Sequence, residues 1–282
     1  MVVLSGDREV FVWGRRMGVY PQVELTLDAV EKRGMIYNQA EINQAGPRLV
    51  KNNLIFHKIN KIIAGHYNTA LITDKGELLL QGMNDFGQLA LHSDIKDLVG
   101  YFPEFMKIDA LNDYIVKDVA LGSSCVHVLC EHKLTGRGKL FAWGSNDNGQ
   151  LGTHDTEMTT NEPFDMTYLF IEEKSIHNED VIFDEDEILQ VVSGGQHTMV
   201  LIKKGDSQKL YGIGKINKGQ LAFRRKSKDD PSFTYRPLEI TINHAANEEI
   251  KSISAGGMHS MAVVGPKIVQ KFLSKKEKDL KT

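Results

Sequence analysis

The chain has 282 residues, a formal charge of -3 and 41% apolar residues, enough to bury a sizeable core. No uncharged apolar run approaches the roughly 18 residues of a bilayer span, and Asp7 and Glu9 interrupt any apolar leader, so neither a membrane-spanning nor a secreted protein is expected. A pI near 6.4 argues against a general nucleic-acid binder, and two cysteines, Cys125 and Cys130, are too few for a metal cage or a disulfide framework; the default expectation is a reducing, cytoplasmic location, with nuclear, ciliary or other organellar sites left open.

In chain order, the first predicted strand is Val10–Trp13, ending in Gly14, and the run Leu25–Gln44 that follows reads as a short helix or irregular insertion. Ala64-Gly65-His66-Tyr67-Asn68-Thr69 then leads into a strand over Ala70–Thr73, a turn at Asp74-Lys75-Gly76, a strand Leu78–Gln81 closing on Gly82, and Gly87-Gln88-Leu89. The sequence repeats this plan from Leu121-Gly122-Ser123-Ser124-Cys125, through Gly136-Arg137-Gly138, to the strand Leu140–Trp143, Gly144 and Gly149-Gln150-Leu151. It repeats once more from Ser193-Gly194-Gly195-Gln196-His197-Thr198, with strands Met199–Ile202 and Leu210–Ile213, to Gly214 and Gly219-Gln220-Leu221. A last half-copy, Ala255-Gly256-Gly257-Met258-His259-Ser260, leads into Met261–Val264.

The leading glycines of the glycine-histidine halves lie 57, 72 and 62 residues apart. A four-strand unit of roughly 60 residues with glycine where backbones approach is the pattern of a propeller blade. The chain opens on a tryptophan-glycine half and ends on a glycine-histidine half, so the two ends are complementary. The expected fold is therefore all-β, a propeller of about four blades over residues 1–265. Three blades would be complete and one composite, with Val10–Trp13 pairing beside Met261–Val264, and an open or incomplete ring is the alternative. Trp143 and the equivalent leucines Leu89, Leu151 and Leu221 are expected in the core.

With these residues in view, the chain resembles the regulator of chromosome condensation (RCC1-like) repeat family; Lys139–Gly152 (KLFAWGSNDNGQLG) is nearly its consensus. Gly14 lacks a following Gly-Gln-Leu, Gln81 stands where tryptophan is usual, and Cys125 stands where His197 and His259 recur. The resemblance implies a β-propeller, usually of seven blades, in a family that includes exchange factors for small GTPases, chromatin binders, light sensors, ubiquitin-ligase accessory domains and ciliary scaffolds.

No nucleophile, paired carboxylate or phosphate loop stands out in the sequence, and no cofactor, catalytic residue or metal site is expected. The recurrent Asn68, Cys125, His197 and His259 read as groups satisfying backbone inside each blade rather than as a metal ring. Partner contacts are expected instead in segments that interrupt the repeat. These are the acidic stretch Asp155–Glu187, with 12 acids against Lys174, of which Phe170, Asp184, Glu185, Asp186 and Glu187 are the candidates; the basic Arg224, Arg225 and Lys226; and Phe272 in the lysine-rich tail 266–282. The favoured function is a non-catalytic protein–protein interaction scaffold, a structural subunit of a larger intracellular assembly. Regulation of a small GTPase, by guanine nucleotide exchange, is the alternative.

Overall fold

The computed structural model describes residues 2–5, 10–15, 43–49, 58–91, 99–154, 159–171, 186–224, 227 and 229–267. They form seventeen antiparallel strands in five sheets that follow one another along the chain. The N-terminal sheet holds β1 (Val2–Leu4), β2 (Val10–Arg15) and β3 (Asn43–Leu49). The first full blade comprises β4 (Ile59–Ala64), β5 (Asn68–Thr73), β6 (Leu78–Met83) and β7 (Tyr101–Lys107), in that spatial order. The second comprises β8 (Tyr114–Leu121), β9 (Cys125–His132), β10 (Gly138–Ser145) and β11 (Thr159–Asp165), and the third β12 (Glu187–Ser193), β13 (His197–Lys204), β14 (Ser207–Lys215) and β15 (Phe233–Glu239). The C-terminal sheet has β16 (Glu248–Ala255) and β17 (Ser260–Pro266). All four strands expected at Val10–Trp13, Ala70–Thr73, Leu140–Trp143 and Met199–Ile202 are present.

Register identifies equivalent strands. In each full blade the third and fourth strands slip past each other at the glycine of the tryptophan-glycine half, between Leu80 and Gly82, Ala142 and Gly144, and Gly212 and Gly214; β2 and β3 slip in the same way between Val12 and Gly14. The N-terminal sheet thus contains strands of the second, third and fourth type, and β16 and β17 are of the first and second type. The expected pairing of Val10–Trp13 with Met261–Val264 does not occur: β2 lies between β1 and β3, while β17 pairs with β16. A short hairpin between β1 and β2 closes a loop of a few residues, against some 250 for the distant pairing, and loop-closure entropy favours the local partner. The structure is the open arc rather than the composite ring.

The glycine at the slip is required. Gly144 has φ +103° and Gly214 φ +99°, and a β-carbon on Gly214 would sit 2.6 Å from the Gln196 carbonyl oxygen in the turn between the first two strands. The following Gly-Gln-Leu loops are self-bonded: the Gln88, Gln150 and Gln220 Oε1 atoms accept the amides of Phe86, Asn148 and Lys218, each at 2.8 Å. Asn84 and Asn146 Oδ1 accept the amides of Leu89 and Leu151. The residue after the leucine has a positive φ in each copy: Gly152 at +73°, but alanine at Ala90 (φ 43°) and Ala222 (φ 55°). A left-handed alanine costs about 1 kcal/mol, so Ala90→Gly with Ala222→Gly should raise the denaturant midpoint, a gain of about 1 kcal/mol net of unfolded-chain entropy.

The core sits between the sheets. Leu89 and Trp143 share one cluster spanning the first and second full blades, Leu151 belongs to the next, and Leu221 to the cluster joining the third blade to the C-terminal sheet. All four side chains are buried, as expected from their repeat positions.

Candidate functional site

Neighbouring blades meet through three kinds of device. The first is a bulged first strand. The registers slip between Ile59 and Lys61, Val116 and Asp118, Ile188 and Gln190, and Ile250 and Ser252. One inserted residue brings positions three apart onto one face, so the pairs Val116/Val119, Ile188/Val191 and Ile250/Ile253 are all buried. They join clusters with Ala70 and Ile72, with Cys125 and Leu129, and with Met199 and Leu201 of the preceding second strands. The resulting pattern, Ile/Val-x-x-Ile/Val-x-x-Gly, recurs at Ile59–Gly65, Val116–Gly122, Ile188–Gly194 and Ile250–Gly256. The spacing of three departs from the strict alternation of a regular strand.

The second device is polar. Lys61 Nζ meets Asp118 at 2.6 Å between neighbouring first strands. Gln190 and Gln208 each bracket a residue of β16: Gln190 accepts the Ile253 amide at 3.0 Å and donates to its carbonyl at 3.2 Å, and Gln208 does the same for Ile250 at 2.7 and 3.2 Å. Trp143 donates its indole N–H to the Gln88 carbonyl at 2.8 Å.

The third device is histidine. His127 is fully buried, with Nε2 donating to the Gln150 carbonyl at 3.0 Å, which leaves Nδ1 to accept from the Ser193 hydroxyl of the next blade at 3.0 Å. His197 reaches Ser260 Oγ of the C-terminal sheet at 2.8 Å. Burial pushes both imidazoles down to about 4, against the hydrogen bond to Gln150 in His127 and helped by the nearby His259 in His197. Burial likewise pushes the Cys125 and Cys130 thiols up to about 12, so both are unreactive thiols at neutral pH. Asn68, which holds the position of His197 and Cys125 in the first blade, donates to the Met83 carbonyl at 2.7 Å. The recurrent position is therefore used to tie backbone or to reach the adjoining sheet.

A histidine whose folded value lies below its unfolded value of 6.5 opposes folding when protonated. Between pH 6.5 and 4 the unfolded chain binds the proton and the folded chain does not, so stability falls as pH drops through that window. For His127 the loss approaches about 3 kcal/mol at the acid end. Urea midpoints at pH 7 and pH 4.5 should differ, and His127→Asn should flatten that difference.

The predicted contact residues separate. Phe170 is a core residue, in the cluster between the second and third full blades with its ring centroid 6.1 Å from that of Tyr211, so it does not face a partner. The acidic stretch begins with β11, the fourth strand of the second blade; Met166 is buried, and the expectation that the whole of Asp155–Glu187 leaves the propeller body does not hold for 159–171. Asp186 lies 4.0 Å from Lys204 and Glu187 is exposed at the start of β12. Arg224 is exposed. Asp184, Glu185, Arg225, Lys226 and Phe272 lie outside the described residues, as do most of Leu25–Gln44 and the side chain of Trp13.

The surface that sequence reasoning missed is the outer side of β17. Met261 and Val263 are 62% and 57% exposed, whereas their equivalents in the third blade, Met199 and Leu201, are 1% and 3% exposed beneath Ile250 and Ile253.

Residues 137–201 match the family model described as the regulator of chromosome condensation (RCC1) repeat. The match runs from the third strand of one full blade to the second strand of the next, the order in which the two half-motifs alternate. Residues 137–201 are thus an RCC1 repeat, and the chain as a whole resembles the RCC1-like repeat proteins. It is 27% identical over 209 residues to the ultraviolet-B receptor UVR8 of Arabidopsis thaliana, covering 73% of this chain and 39% of that protein. It is 26% identical over 253 residues to the probable E3 ubiquitin-protein ligase HERC4 of Mus musculus, covering 89% of this chain and 20% of the ligase. The RCC1-like chain thus spans well under half of the curated relatives it matches. Among solved structures it is similar to Prp20p of Saccharomyces cerevisiae, with a TM-score of 0.63 at 15% identity over 99% of this chain and 57% of that one. It is also similar to human WBSCR16, with a TM-score of 0.53 at 17% identity over 95% and 70%. At these identities the two structures establish the RCC1 propeller fold and no more.

Proposed function

We propose that this RCC1-like chain is a non-catalytic protein–protein interaction scaffold and a structural subunit of a larger intracellular assembly. The observation that carries the reading is the open end of the arc: among the described residues the last sheet has two strands where three others have four, and it exposes two large apolar side chains whose equivalents are buried. An exposed apolar strand invites association. The acidic residues 184–187 and the basic residues 224–226 are the supporting contacts on this reading, with Phe272 of the tail. No helix among the described residues is long and apolar enough to cross a membrane.

Affinity purification of the tagged chain from its own cells under native conditions tests the reading. The mass should exceed 31.6 kDa with fixed stoichiometry of at least one other protein; a free monomer would overturn it. The alternative, regulation of a small GTPase, draws on Prp20p, whose structure was determined together with its binding properties to Gsp1p and histones. Release of labelled nucleotide from a panel of small GTPases should stay at the basal rate when the chain is added, and acceleration of any of them would favour the alternative.

A further inference from the structure

Each full blade shows what the C-terminal sheet lacks. The second strand of a blade carries two inward pairings: its edge bonds a third strand, and its face receives the bulged first strand of the next blade. In the third blade, β13 pairs along its length with β14, from His197 opposite Gly214 to Lys204 opposite Ser207. Met199 and Leu201 on its face pack against Ile250 and Ile253. The same strand type in the last sheet, β17, is bonded to β16 and to no third strand among the described residues. Met261 and Val263 stand at the positions of Met199 and Leu201 and are bare, and His259, in the place of His197, is exposed.

Two further vacancies coincide with this one. Gly87 and Gly149 of the Gly-Gln-Leu loops each abut the fourth strand of the following blade, at Asn161 and at Thr234-Tyr235, whereas a β-carbon on Gly219 would meet nothing within 4 Å among the described residues. Gly195 donates its amide to the carbonyls of Gly256 and Gly257 in the adjoining sheet, both at 3.2 Å. A β-carbon on Gly257, one blade further on, would also meet none of the described residues within 4 Å. The loop before the sheet and the loop within it therefore lack the same neighbour.

We infer that the C-terminal sheet is completed by an RCC1-type half-blade from another polypeptide segment: a third-type strand ending in glycine on the edge of β17, then a first strand of pattern Ile/Val-x-x-Ile/Val-x-x-Gly laid over Met261 and Val263. Continuity with the interfaces inside the arc selects this occupant. A second copy of the arc does not offer a bare first strand, because β4, β8, β12 and β16 each already pack against the preceding second strand, β1, β5, β9 and β13. Residues 268–282 contain no glycine and no Ile/Val pair at that spacing, so they do not carry the pattern. His259 adds a chemical requirement. His197, at the same position in the third blade, reaches the Ser260 hydroxyl in the next sheet, so the incoming blade should present a serine or threonine hydroxyl to His259.

The inference rests on the subunit reading above. It is tested by site-specific photo-crosslinking in the full chain expressed in its own cells, with p-benzoylphenylalanine in place of Met261 or Val263, and in place of the exposed Leu134 as control. The crosslinked peptide is then sequenced. Adducts at 261 and 263, absent at 134, to a peptide carrying Ile/Val-x-x-Ile/Val-x-x-Gly support the inference. Adducts to residues 268–282, to a second copy, or to a peptide without that pattern overturn it, as does the absence of any adduct. Met261→Lys with Val263→Lys should reduce recovery of the partner at least tenfold while leaving the urea midpoint of the isolated chain unchanged; undiminished recovery would also overturn it. A native complex that forms without these adducts refutes the docking site and leaves the subunit reading standing, whereas a free monomer refutes that reading itself.

Discussion

Trp143→Ala should destabilise the chain by about 5 kcal/mol, the upper end of the range for deleting a large buried aromatic. The indole is fully buried between the first and second full blades, in one cluster with Leu89, Val126 and Val128. It also donates to the Gln88 carbonyl, so truncation leaves a buried acceptor unpaired in addition to a cavity. Trp143→Phe keeps most of the volume and loses the donor, and should cost about 2 kcal/mol. Urea titration at pH 7 followed by far-ultraviolet circular dichroism measures both, and a loss under about 1 kcal/mol for the alanine variant would show that the blades are not locked by this residue.

Deleting Thr159–Ile171 and bridging the gap with glycine and serine should abolish cooperative folding. This segment is acidic enough to read as an insertion, yet it contributes β11 along the outer edge of β10. The turn that follows pins the start of the third strand: Thr167 Oγ1 accepts the Leu140 amide at 2.9 Å, and the Met166 amide donates to the Leu140 carbonyl at 2.8 Å. Met166 and Phe170 then enter the core between the second and third blades. Loss of two such side chains alone removes roughly 4–10 kcal/mol, comparable with the whole stability of an ordinary domain. A variant lacking only residues 172–183 removes none of these contacts and should keep a sharp transition.

The contrast explains what the sequence made visible. Second and third strands are buried on both faces or end in obligatory glycines, so Met199–Ile202 or Leu140–Gly144 stand out as apolar runs with fixed punctuation. Fourth strands do not. β7, β11 and β15 read YFPEFMK, TTNEPFD and FTYRPLE, each with a proline and a glutamate, because an outer edge strand bonds on one side only and tolerates both. First strands escaped notice for another reason: their bulge converts a period of two into a spacing of three. The half-motifs at the two ends were complementary in type, but type does not fix a partner. β1, three residues with no glycine-histidine motif, takes the place beside β2 that the distant half was expected to fill.

The candidate surface was illegible for a related reason. Met261 and Val263 carry the same residue types as the buried Met199 and Leu201, and only the presence or absence of the following sheet distinguishes them. Phe170 was misassigned in the opposite sense, since its acidic surroundings suggested a docking loop while its ring closes a blade interface.

Amide hydrogen exchange on the isolated chain, comparing peptides that cover β13 and β17, tests the open arc most directly. Among the described residues β13 is bonded on both edges, by β12 and β14, while β17 is bonded on one, so backbone amides on the free side of β17 should exchange within seconds to minutes at pH 7 while β13 stays protected for hours. Equal, long-lived protection of β13 and β17 in the isolated chain would show that the edge is already paired, and would contradict both the open arc and the docking surface at its end.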